Sequence, residues 1–321
     1  MPLIERSSYT RPPFYQFNGH LQTVLPAILR KVEAPYERER ITLPDGDFLD
    51  LDWIDNGSRR LAILTHGLEG NSDRHYMKGM ASIFSERGWD VLAWNCRSCS
   101  GEMNRRLRMY NHGDIEDIGA VIRHALATKD YEQVVLIGFS MGGSILMKYL
   151  GVHGKDAPKP IRCGVAFSAP CDLRASVDAL ELPGNAFYKR RFFTSLRAKI
   201  ETKAEQFPDA VDLSKFEEIR EWRDFDNFFS APINGYEDAE DFYRQASARN
   251  FMAGTDRPVL LVNAVNDPIL PPECSPVSLC EQHDKIFLEM PQKGGHVGFT
   301  LPRAGYAWSE YRAVEWCEGR G

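Results

Sequence analysis

Short apolar runs recur along most of the chain and are separated by amphipathic segments. The runs contain few polar residues, which is typical of strands buried on both faces of a parallel sheet. They are LAILT (61–65), WDVLAW (89–94), QVVLIGF (133–139), RCGVAFS (162–168), PVLLVNA (258–264) and KIFLEM (285–290). Helical stripes between them are formed by Tyr76, Met77, Met80, Ile83 and Phe84, and by Ile115, Ile118, Ile122 and Ala125. This repetition predicts an α/β fold with a mostly parallel central sheet and flanking helices.

Two parts of the chain depart from this repetition. The segment RITLPDGDFLDLDW has a Pro-Asp-Gly turn followed by alternation at Leu49, Leu51 and Trp53, which predicts an antiparallel hairpin with one buried face. A long segment after RCGVAFS has no comparable apolar run and is rich in charged and aromatic residues, so we interpret it as an inserted helical cap. The expected organisation is a single domain with its core at about 37–170 and 256–321, a cap at 171–255 and an N-terminal arm at 1–36.

Composition limits the class of protein. Hydrophobic residues make up 43% and charged residues 26% of the 321 residues, as in ordinary globular proteins. The formal net charge of −6 argues against nucleic-acid binding, and no stretch approaches the roughly 18 apolar residues of a transmembrane helix. The start MPLIERSSYTRPPFY lacks the pattern of a secretory signal, and seven cysteines are too sparse for a disulfide framework. We therefore expect a cytoplasmic protein with reduced thiols. Cys96 and Cys99 form a C-x-x-C motif, but no second close pair completes a zinc site.

The sequence GFSMGG (138–143) directly follows the buried run QVVLI and precedes the apolar segment SILMKYL. A G-x-S-x-G motif between a strand and a helix predicts a nucleophile elbow, a tight turn that exposes the serine at the carboxyl edge of the sheet. Gly138 and Gly142 leave room for the close approach of strand and helix in such a turn. Ser140 is therefore the candidate nucleophile. A serine hydroxyl needs a base within hydrogen-bond reach and an acid that orients the base.

The downstream sequence supplies both partners. Asp267 follows PVLLVNA as the candidate acid, and His296 follows KIFLEM as the candidate general base. The chain order Ser, Asp, His is the order found in α/β hydrolases. A tetrahedral intermediate also needs donors for its negative oxygen, and the backbone N–H groups of Leu68, in HGLEG, and of Met141 are the candidates for this oxyanion hole.

Other residues compete for these roles. Asp172 follows RCGVAFS and is an alternative acid from the neighbouring loop. His283 is an alternative base, although we expect it to precede the last strand at the wrong edge of the sheet. We expect His66 to shape the HGLEG loop, which carries the candidate oxyanion donor Leu68, rather than to transfer protons. His112 and Asp117 have an H-x-x-x-x-D spacing that is sometimes linked with acyl transfer, but aspartates here are also typical of a helix N-terminus.

The predicted cap is rich in aromatic and basic residues, and the sequence allows two roles for each group. Its aromatic side chains either line an acyl pocket or pack the cap onto its base. The candidates for substrate binding are Phe192, Phe193, Phe228 and Phe229, together with Trp222 and Phe225. The segment YKRRFFTSLRAK (188–199) permits contact with a membrane surface or with single-stranded nucleic acid, but a solvated cap helix is the simpler interpretation.

The chain resembles the YheT-like branch of the α/β hydrolases, which is similar to mammalian lipid-active abhydrolase proteins. The resemblance spans nearly the whole chain. It is carried by NGHLQT (18–23), HGLEGNSDRHY (66–76), GFSMGG (138–143), FDNFFSAPINGYEDAEDFY (225–243), NAVNDPILPP (263–272) and GGHVGF (294–299). Two positions depart from the family's pattern, since Ser98 stands where glycine is usual and Asn111 stands where histidine is usual. Neither belongs to the predicted triad.

The resemblance implies hydrolysis of carboxylic esters of short or medium acyl chains or of lipids, with Ser140, Asp267 and His296 as catalytic residues. Such a reaction requires no metal and no organic cofactor. The expected partner is a small-molecule or lipid ester, and the sequence leaves the oligomeric state open. A thioesterase, a peptidase or an acyltransferase uses the same parts, and a non-catalytic binding protein on this fold also stays open.

Overall fold

The computed structural model of the protein describes residues 3–319. The strands in this range form one sheet. They are β1 (Leu3–Ile4), β2 (Glu37–Thr42), β3 (Phe48–Ile54), β4 (Arg60–Thr65), β5 (Asp90–Asn95), β6 (Gln133–Phe139), β7 (Ile161–Phe167), β8 (Val259–Val262) and β9 (Ile286–Glu289). Their order across the sheet is β1-β9-β8-β7-β6-β4-β5-β3-β2. Strands β4 to β9 overlap the six apolar runs and pair in parallel, which confirms the predicted sheet.

Helices cover both faces of this sheet. The α-helices are α1 (Gly19–Leu29), α2 (His75–Glu86), α3 (Ile115–Thr128), α4 (Met141–His153), α5 (Leu173–Leu180), α6 (Ala186–Gln206), α7 (Trp222–Phe225), α8 (Ala231–Ile233), α9 (Ala239–Ala246), α10 (Val277–Gln282) and α11 (Trp308–Glu318). Helices α3 and α4 share an apolar cluster with Leu61 and Ile63 of β4, whereas α2 and α11 share one with Ala62 and Leu64. Because successive strand residues point to opposite faces, these clusters are the two sides of the core.

Strands β2 and β3 form the predicted antiparallel hairpin, but the expectation of one buried face is wrong. Asp50 and Asp52 on the expected polar face of β3 are each only 2% exposed. Arg40 and Arg38 of β2 make paired hydrogen bonds of 2.7–2.9 Å to these two carboxylates. Burial of a charge is tolerated when it is paired in this way. Alternation of polar and apolar residues therefore did not indicate an exposed face here.

The N-terminal segment contains elements that the sequence did not predict. Strand β1 pairs in parallel with β9 at the edge of the sheet. Helix α1 begins after Asn18, whose side chain accepts a hydrogen bond of 2.9 Å from the Leu21 N–H. This helix lies against the loop that follows β9, since a Cβ atom on Gly295 would lie 2.6 Å from the Gly19 carbonyl oxygen. The N-terminal segment is thus packed against the carboxyl edge of the sheet.

Residues 171–255, a range that the structure describes throughout, connect β7 to β8 and contain α5 to α9 without a strand. A π-helical turn at Asp226–Ser230 joins α7 to α8. Most members of a third apolar cluster lie in this segment, and Met109 and Ile269 from the rest of the protein complete it. This helical content fits the interpretation of an inserted cap. We refer to 171–255 as the cap, and the division of the chain at these bounds stays a prediction.

Candidate active site

Ser140 stands at the sharp turn between β6 and α4. Its backbone has φ 53° and ψ −121°, a conformation that an L-residue adopts only at a cost. The turn brings strand and helix into contact, because a Cβ atom on Gly138 would lie 2.3 Å from the Gly142 carbonyl oxygen. A Cβ atom on Gly142 would lie equally close to the Thr65 carbonyl oxygen, at 2.3 Å. Neither glycine can therefore be replaced without displacing backbone.

A chain of hydrogen bonds joins Ser140, His296 and Asp267. The Ser140 hydroxyl lies 2.8 Å from His296 Nε2, and His296 Nδ1 lies 2.9 Å from Asp267 Oδ2. A carboxylate accepts only, so the bond to Asp267 assigns the proton to Nδ1 and leaves Nε2 free to accept from the serine. The other carboxylate oxygen of Asp267 accepts from the N–H groups of Ile269 and Leu270, at 2.9 and 3.2 Å. The structure thus brings the three sequence-predicted residues together.

The loop that carries His296 is held by helix α1. The His296 N–H donates to Thr23 Oγ1 at 2.9 Å, and the Gly294 N–H donates to Gln22 Oε1 at 2.7 Å. Gln22 also accepts from the side chain of Asn266 at 2.9 Å, next to the predicted acid. Sequence reasoning missed Gln22 and Thr23 as supports of the site. The family motif NGHLQT contains both Gln22 and Thr23 and could have indicated them.

The two candidate oxyanion donors have free N–H groups. In the described residues, neither the Leu68 N–H nor the Met141 N–H has a hydrogen-bond acceptor. Met141 is the first residue of α4, where backbone N–H groups have no partner within the helix. Leu68 lies in the loop that follows β4 and borders the same space as Ser140. Both groups are therefore available to a negative oxygen.

The competing residues have other partners. Asp172 caps the N-terminus of α5 and pairs with Arg249 at 2.5 Å, whereas the histidine bonds to Asp267. His283 follows α10, and its Nδ1 accepts from the Lys285 N–H at 3.1 Å near the start of β9. His66 is buried, and burial lowers its pKa to about 4. As expected, its ring supports the loop, because Nδ1 bonds to the Gly67 carbonyl at 2.7 Å.

The H-x-x-x-x-D pair is not assembled as a catalytic unit. Asp117 is buried and accepts two hydrogen bonds of 2.8 Å from the Arg97 guanidinium. The neighbouring Asp114 caps the N-terminus of α3. His112 borders a cavity, and burial lowers its pKa to about 4, which keeps the imidazole neutral near pH 7. The arrangement matches the structural interpretation of these aspartates.

Two cavities meet at Ser140 and His296. The first lies beneath the cap and is partly open to solvent. Most of its lining is apolar and includes Leu173, Val177, Leu180, Leu196, Ile200 and Ile233. The second is a cleft that borders the same two residues, and it contains the charged side chains of Arg30, Glu69, Asp73, Arg74 and Arg191. The candidate nucleophile therefore borders both a largely apolar cavity and a cleft that contains charged side chains.

The predicted aromatic lining needs a correction. Phe192 and Phe229 border the apolar cavity, but Phe193 and Phe228 do not. Phe193 instead packs against the ring of Trp222, with 4.8 Å between ring centroids. Phe228 is covered by the Lys215 ammonium, 5.3 Å from its ring centroid. Helix geometry turns neighbouring residues to different faces, so a run of aromatics cannot all reach one cavity.

The basic segment of the cap and the C-x-x-C cysteines are partly or wholly buried. The segment lies on α6, where Lys199 turns inward and contacts Glu69 at 2.7 Å, so the segment is not wholly solvated. Cys96 and Cys99 are buried free thiols, and burial raises the pKa of Cys99 to about 11. Among residues 3–319 no group of His, Cys, Asp and Glu side chains has the arrangement of a metal site. In the same range no helix is long and apolar enough to cross a membrane.

Comparisons with known proteins assign the family. A family model described as the alpha/beta hydrolase fold matches residues 63–301. The chain belongs to this family. It is 34% identical over 313 residues to YheT of Escherichia coli (strain K12), which carries the name of an esterase, and the match covers 93% of this chain and 90% of that protein. It is 29% identical over 309 residues to human Phospholipase ABHD3, with 93% and 75% coverage. These matches confirm the resemblance to the YheT-like branch.

A solved structure agrees with the fold. The esterase Pf2001 of Pyrococcus furiosus superimposes with a TM-score of 0.60 at 20% identity, covering 91% of this chain and 99% of that chain. A yeast protein named Monoacylglycerol lipase is 28% identical over 273 residues, which are 83% of this chain and 59% of that protein. The predicted fold class is therefore confirmed. The roles of the individual site residues do not follow from these matches.

Proposed function

We propose that this protein is a serine hydrolase that cleaves carboxylic esters through an acyl-enzyme on Ser140. The observation that carries the proposal is the unbroken series of hydrogen bonds from Asp267 through His296 to Ser140, at 2.9 and 2.8 Å. A nucleophile, a base and an orienting acid in hydrogen-bond contact are the parts that acyl transfer requires. The relatives named as esterase, phospholipase and monoacylglycerol lipase support ester hydrolysis as the reaction class.

The proposed first step forms the acyl-enzyme. Ser140 Oγ attacks the ester carbonyl carbon while His296 Nε2 accepts the hydroxyl proton, and Asp267 stabilises the resulting imidazolium. The carbonyl oxygen becomes negative and accepts hydrogen bonds from the N–H groups of Leu68 and Met141. The C–O bond to the alcohol then breaks, and His296 returns the proton to the leaving alkoxide. Leu68 and Met141 have no other acceptor in the described chain, which supports this role.

The proposed second step releases the acid. Water takes the place of the alcohol, His296 accepts one of its protons, and hydroxide attacks the acyl carbon. Collapse of this second intermediate returns the proton to Ser140 Oγ and restores the enzyme. All atoms and charges balance without a further reactant, since the overall reaction adds water to an ester.

The two cavities favour a division of the ester. The acyl chain fits the apolar cavity beneath the cap, where burial of apolar surface contributes about 0.8 kcal/mol for each methylene group. The alcohol fits the cleft, which contains charged side chains. Esters of short or medium fatty acids, and lipid esters with a polar alcohol, match both spaces. In this interpretation the cap forms the roof of the acyl pocket.

The test measures hydrolysis of p-nitrophenyl esters from acetate to dodecanoate. Wild type should be active, Ser140→Ala should lose nearly all activity and Asp172→Asn should keep it. A fluorophosphonate probe should label wild type and leave Ser140→Ala unlabelled. Retained hydrolysis in Ser140→Ala would contradict the assigned nucleophile. An alcohol added as acceptor separates hydrolysis from acyl transfer, because a transferase yields mainly the new ester whereas a hydrolase yields the free acid.

A further inference from the structure

Glu69 is a charged residue inside the loop that carries Leu68. We define the oxyanion loop as residues 66–70. The Glu69 backbone has φ 53°, which is the left-handed region that non-glycine residues rarely occupy. Its carboxylate points inward, with the side chain only 8% exposed. A buried charge on a strained backbone persists only where its surroundings hold it, so the partners of Glu69 determine the shape of this loop.

The carboxylate of Glu69 has three side-chain donors. Lys199 Nζ lies 2.7 Å from Oε1, and the hydroxyls of Tyr110 and Ser195 donate to Oε1 and Oε2. Burial alone would raise the pKa of Glu69, but Lys199 and the hydrogen bonds from Ser195 and Tyr110 hold it below its ordinary value. Lys199 and Ser195 both lie on α6 of the cap. The cap therefore supplies two of the three donors.

The backbone of Glu69 is held as well. Its N–H donates to the Tyr110 hydroxyl at 3.1 Å, and its carbonyl accepts from Arg74 Nη2 at 2.7 Å. Tyr110 thus contacts Glu69 at both its backbone and its carboxylate. Every polar group of Glu69 has a partner in the described structure.

Further hydrogen bonds hold Gly67 and Gly70 of the oxyanion loop. Gly67 donates its N–H to the Tyr76 hydroxyl at 3.2 Å. The Gly67 carbonyl accepts from the Gly70 N–H at 2.9 Å and from the His66 ring at 2.7 Å. The Leu68 N–H, between these bound groups, has no acceptor in the described chain. The surrounding bonds thus fix its direction and leave it free.

We propose that Lys199 is a positioning residue that clamps the Glu69 carboxylate to the cap and thereby holds the Leu68 N–H in place for the oxyanion. The cap then does more than cover the acyl chain, because the oxyanion hole is complete only while α6 is seated. This inference rests on the proposed function of the site. Without Lys199 the Glu69 carboxylate would lose its cationic partner, and the left-handed turn would lose one of the contacts that maintain it.

The chain provides a matched control on the same helix. Lys203 lies one turn after Lys199, is 0% exposed, and donates to the carbonyls of Asn104 and Arg106 at 2.6 Å each. It also ties α6 to the body of the protein but has no contact with Glu69. Lys199→Met and Lys203→Met each remove one buried ammonium from α6. Only Lys199→Met removes a contact with the oxyanion loop.

The first readout is kinetic. Loss of an oxyanion donor typically lowers kcat by about 10²–10³-fold, and a misplaced donor should have a smaller effect. We expect Lys199→Met to lower kcat by about 10- to 100-fold with little change in KM, and Lys203→Met to lower it by less than about 3-fold. Lys199→Arg should restore part of kcat. Ser195→Ala, a milder change, should lower kcat by about 3- to 10-fold and keeps the test available if Lys199→Met folds poorly.

The second readout does not depend on turnover. Hydrogen–deuterium exchange of the peptide that covers residues 66–70 should be faster in Lys199→Met and unchanged in Lys203→Met. Equal effects of the two variants on kcat and on exchange, or unchanged exchange in Lys199→Met and Ser195→Ala, would overturn the clamp. If wild type hydrolyses no ester, the proposed function fails. The exchange experiment still decides whether Lys199 holds the loop.

Discussion

The cavity beneath the cap and the cleft beside the oxyanion loop share Ser140 and His296 but differ in chemistry. The cavity is lined mainly by aliphatic and aromatic side chains, most of which belong to the cap. The cleft contains five charged residues, and three of them have partners of opposite charge: Arg30 with Glu310, Glu69 with Lys199 and Asp73 with Lys78. An apolar cavity and a cleft with charged side chains that both border the proposed nucleophile fit an ester whose two halves differ in polarity.

The two remaining charged residues of the cleft, Arg74 and Arg191, add to the difference in charge between the cleft and the cavity. Arg74 bonds to the Glu69 carbonyl, and neither Arg74 nor Arg191 has a carboxylate partner in the described chain. Uncompensated arginines raise the local potential and favour an anionic group nearby. We therefore predict that the cavity beneath the cap selects esters by acyl length. The cleft is predicted to select them by the charge of the alcohol.

The largest effect is expected from removal of the Ser140 hydroxyl, which borders both the cavity and the cleft. Ser140→Ala should lower kcat on every ester by up to about 10⁶-fold, because the acyl-enzyme cannot form. Hydrolysis rates over the whole series of acyl lengths check this, and a thermal melt serves as the control for folding. A loss confined to long or to short chains would mean that Ser140 lines a pocket without acting as nucleophile.

The second effect compares two aspartates on neighbouring loops. Asp267→Asn should lower kcat by about 10³–10⁴-fold, because the amide no longer fixes the His296 tautomer. Asp172→Asn should change kcat less than about 2-fold, since its carboxylate caps α5 and pairs with Arg249. Parallel kinetics of the two variants on one ester decide between them. A large loss in Asp172→Asn with a small one in Asp267→Asn would exchange their roles.

The central sheet and the turn at Ser140 could be predicted from the sequence because each depends on a short local pattern of residues. Strands β4 to β9 are buried on both faces and appear as apolar runs, and the elbow at Ser140 has glycines that its turn requires. The chain order and strand ends then indicated Asp267 and His296. A parallel sheet places strand ends at the same edge, so no long-range information was needed to bring these residues together.

What the sequence did not predict depends on tertiary packing. Strand β1 has only two residues, too few for a pattern, and the buried Asp52 of β3 follows from its pairing with an arginine. The direction in which Phe193 points depends on how α6 lies on α7, which periodicity does not fix. The contact between Glu69 and Lys199 joins residues 130 positions apart. Nothing in either local sequence indicates the other.

The third prediction concerns selection of acyl length by the cavity beneath the cap. Val177 lies on α5 and lines the cavity, so Val177→Phe should shorten the available space. We expect kcat/KM on dodecanoate to fall by about 10- to 100-fold and that on acetate to change little, since a few lost methylene contacts are worth about 1–3 kcal/mol. Val152→Phe, the same change at an exposed site of α4, is the control. Equal losses on both esters would show that the cavity does not hold the acyl chain.

The smallest effect tests the cleft. Arg191 is exposed, so its attraction for an anion is screened and should be worth about 0.5–1 kcal/mol. Arg191→Gln should therefore lower kcat/KM by about 2- to 5-fold on 1-decanoylglycerol 3-phosphate and leave 1-decanoylglycerol unaffected. Arg190→Gln removes the same charge from the adjacent residue, which does not line the cleft, and should affect neither substrate. The difference between the two arginines should shrink as salt rises, because an exposed charge is screened within about 10 Å at 0.1 M. If both variants lose the same activity on the phosphate ester, the net charge of the protein accounts for the preference and the cleft does not bind the alcohol.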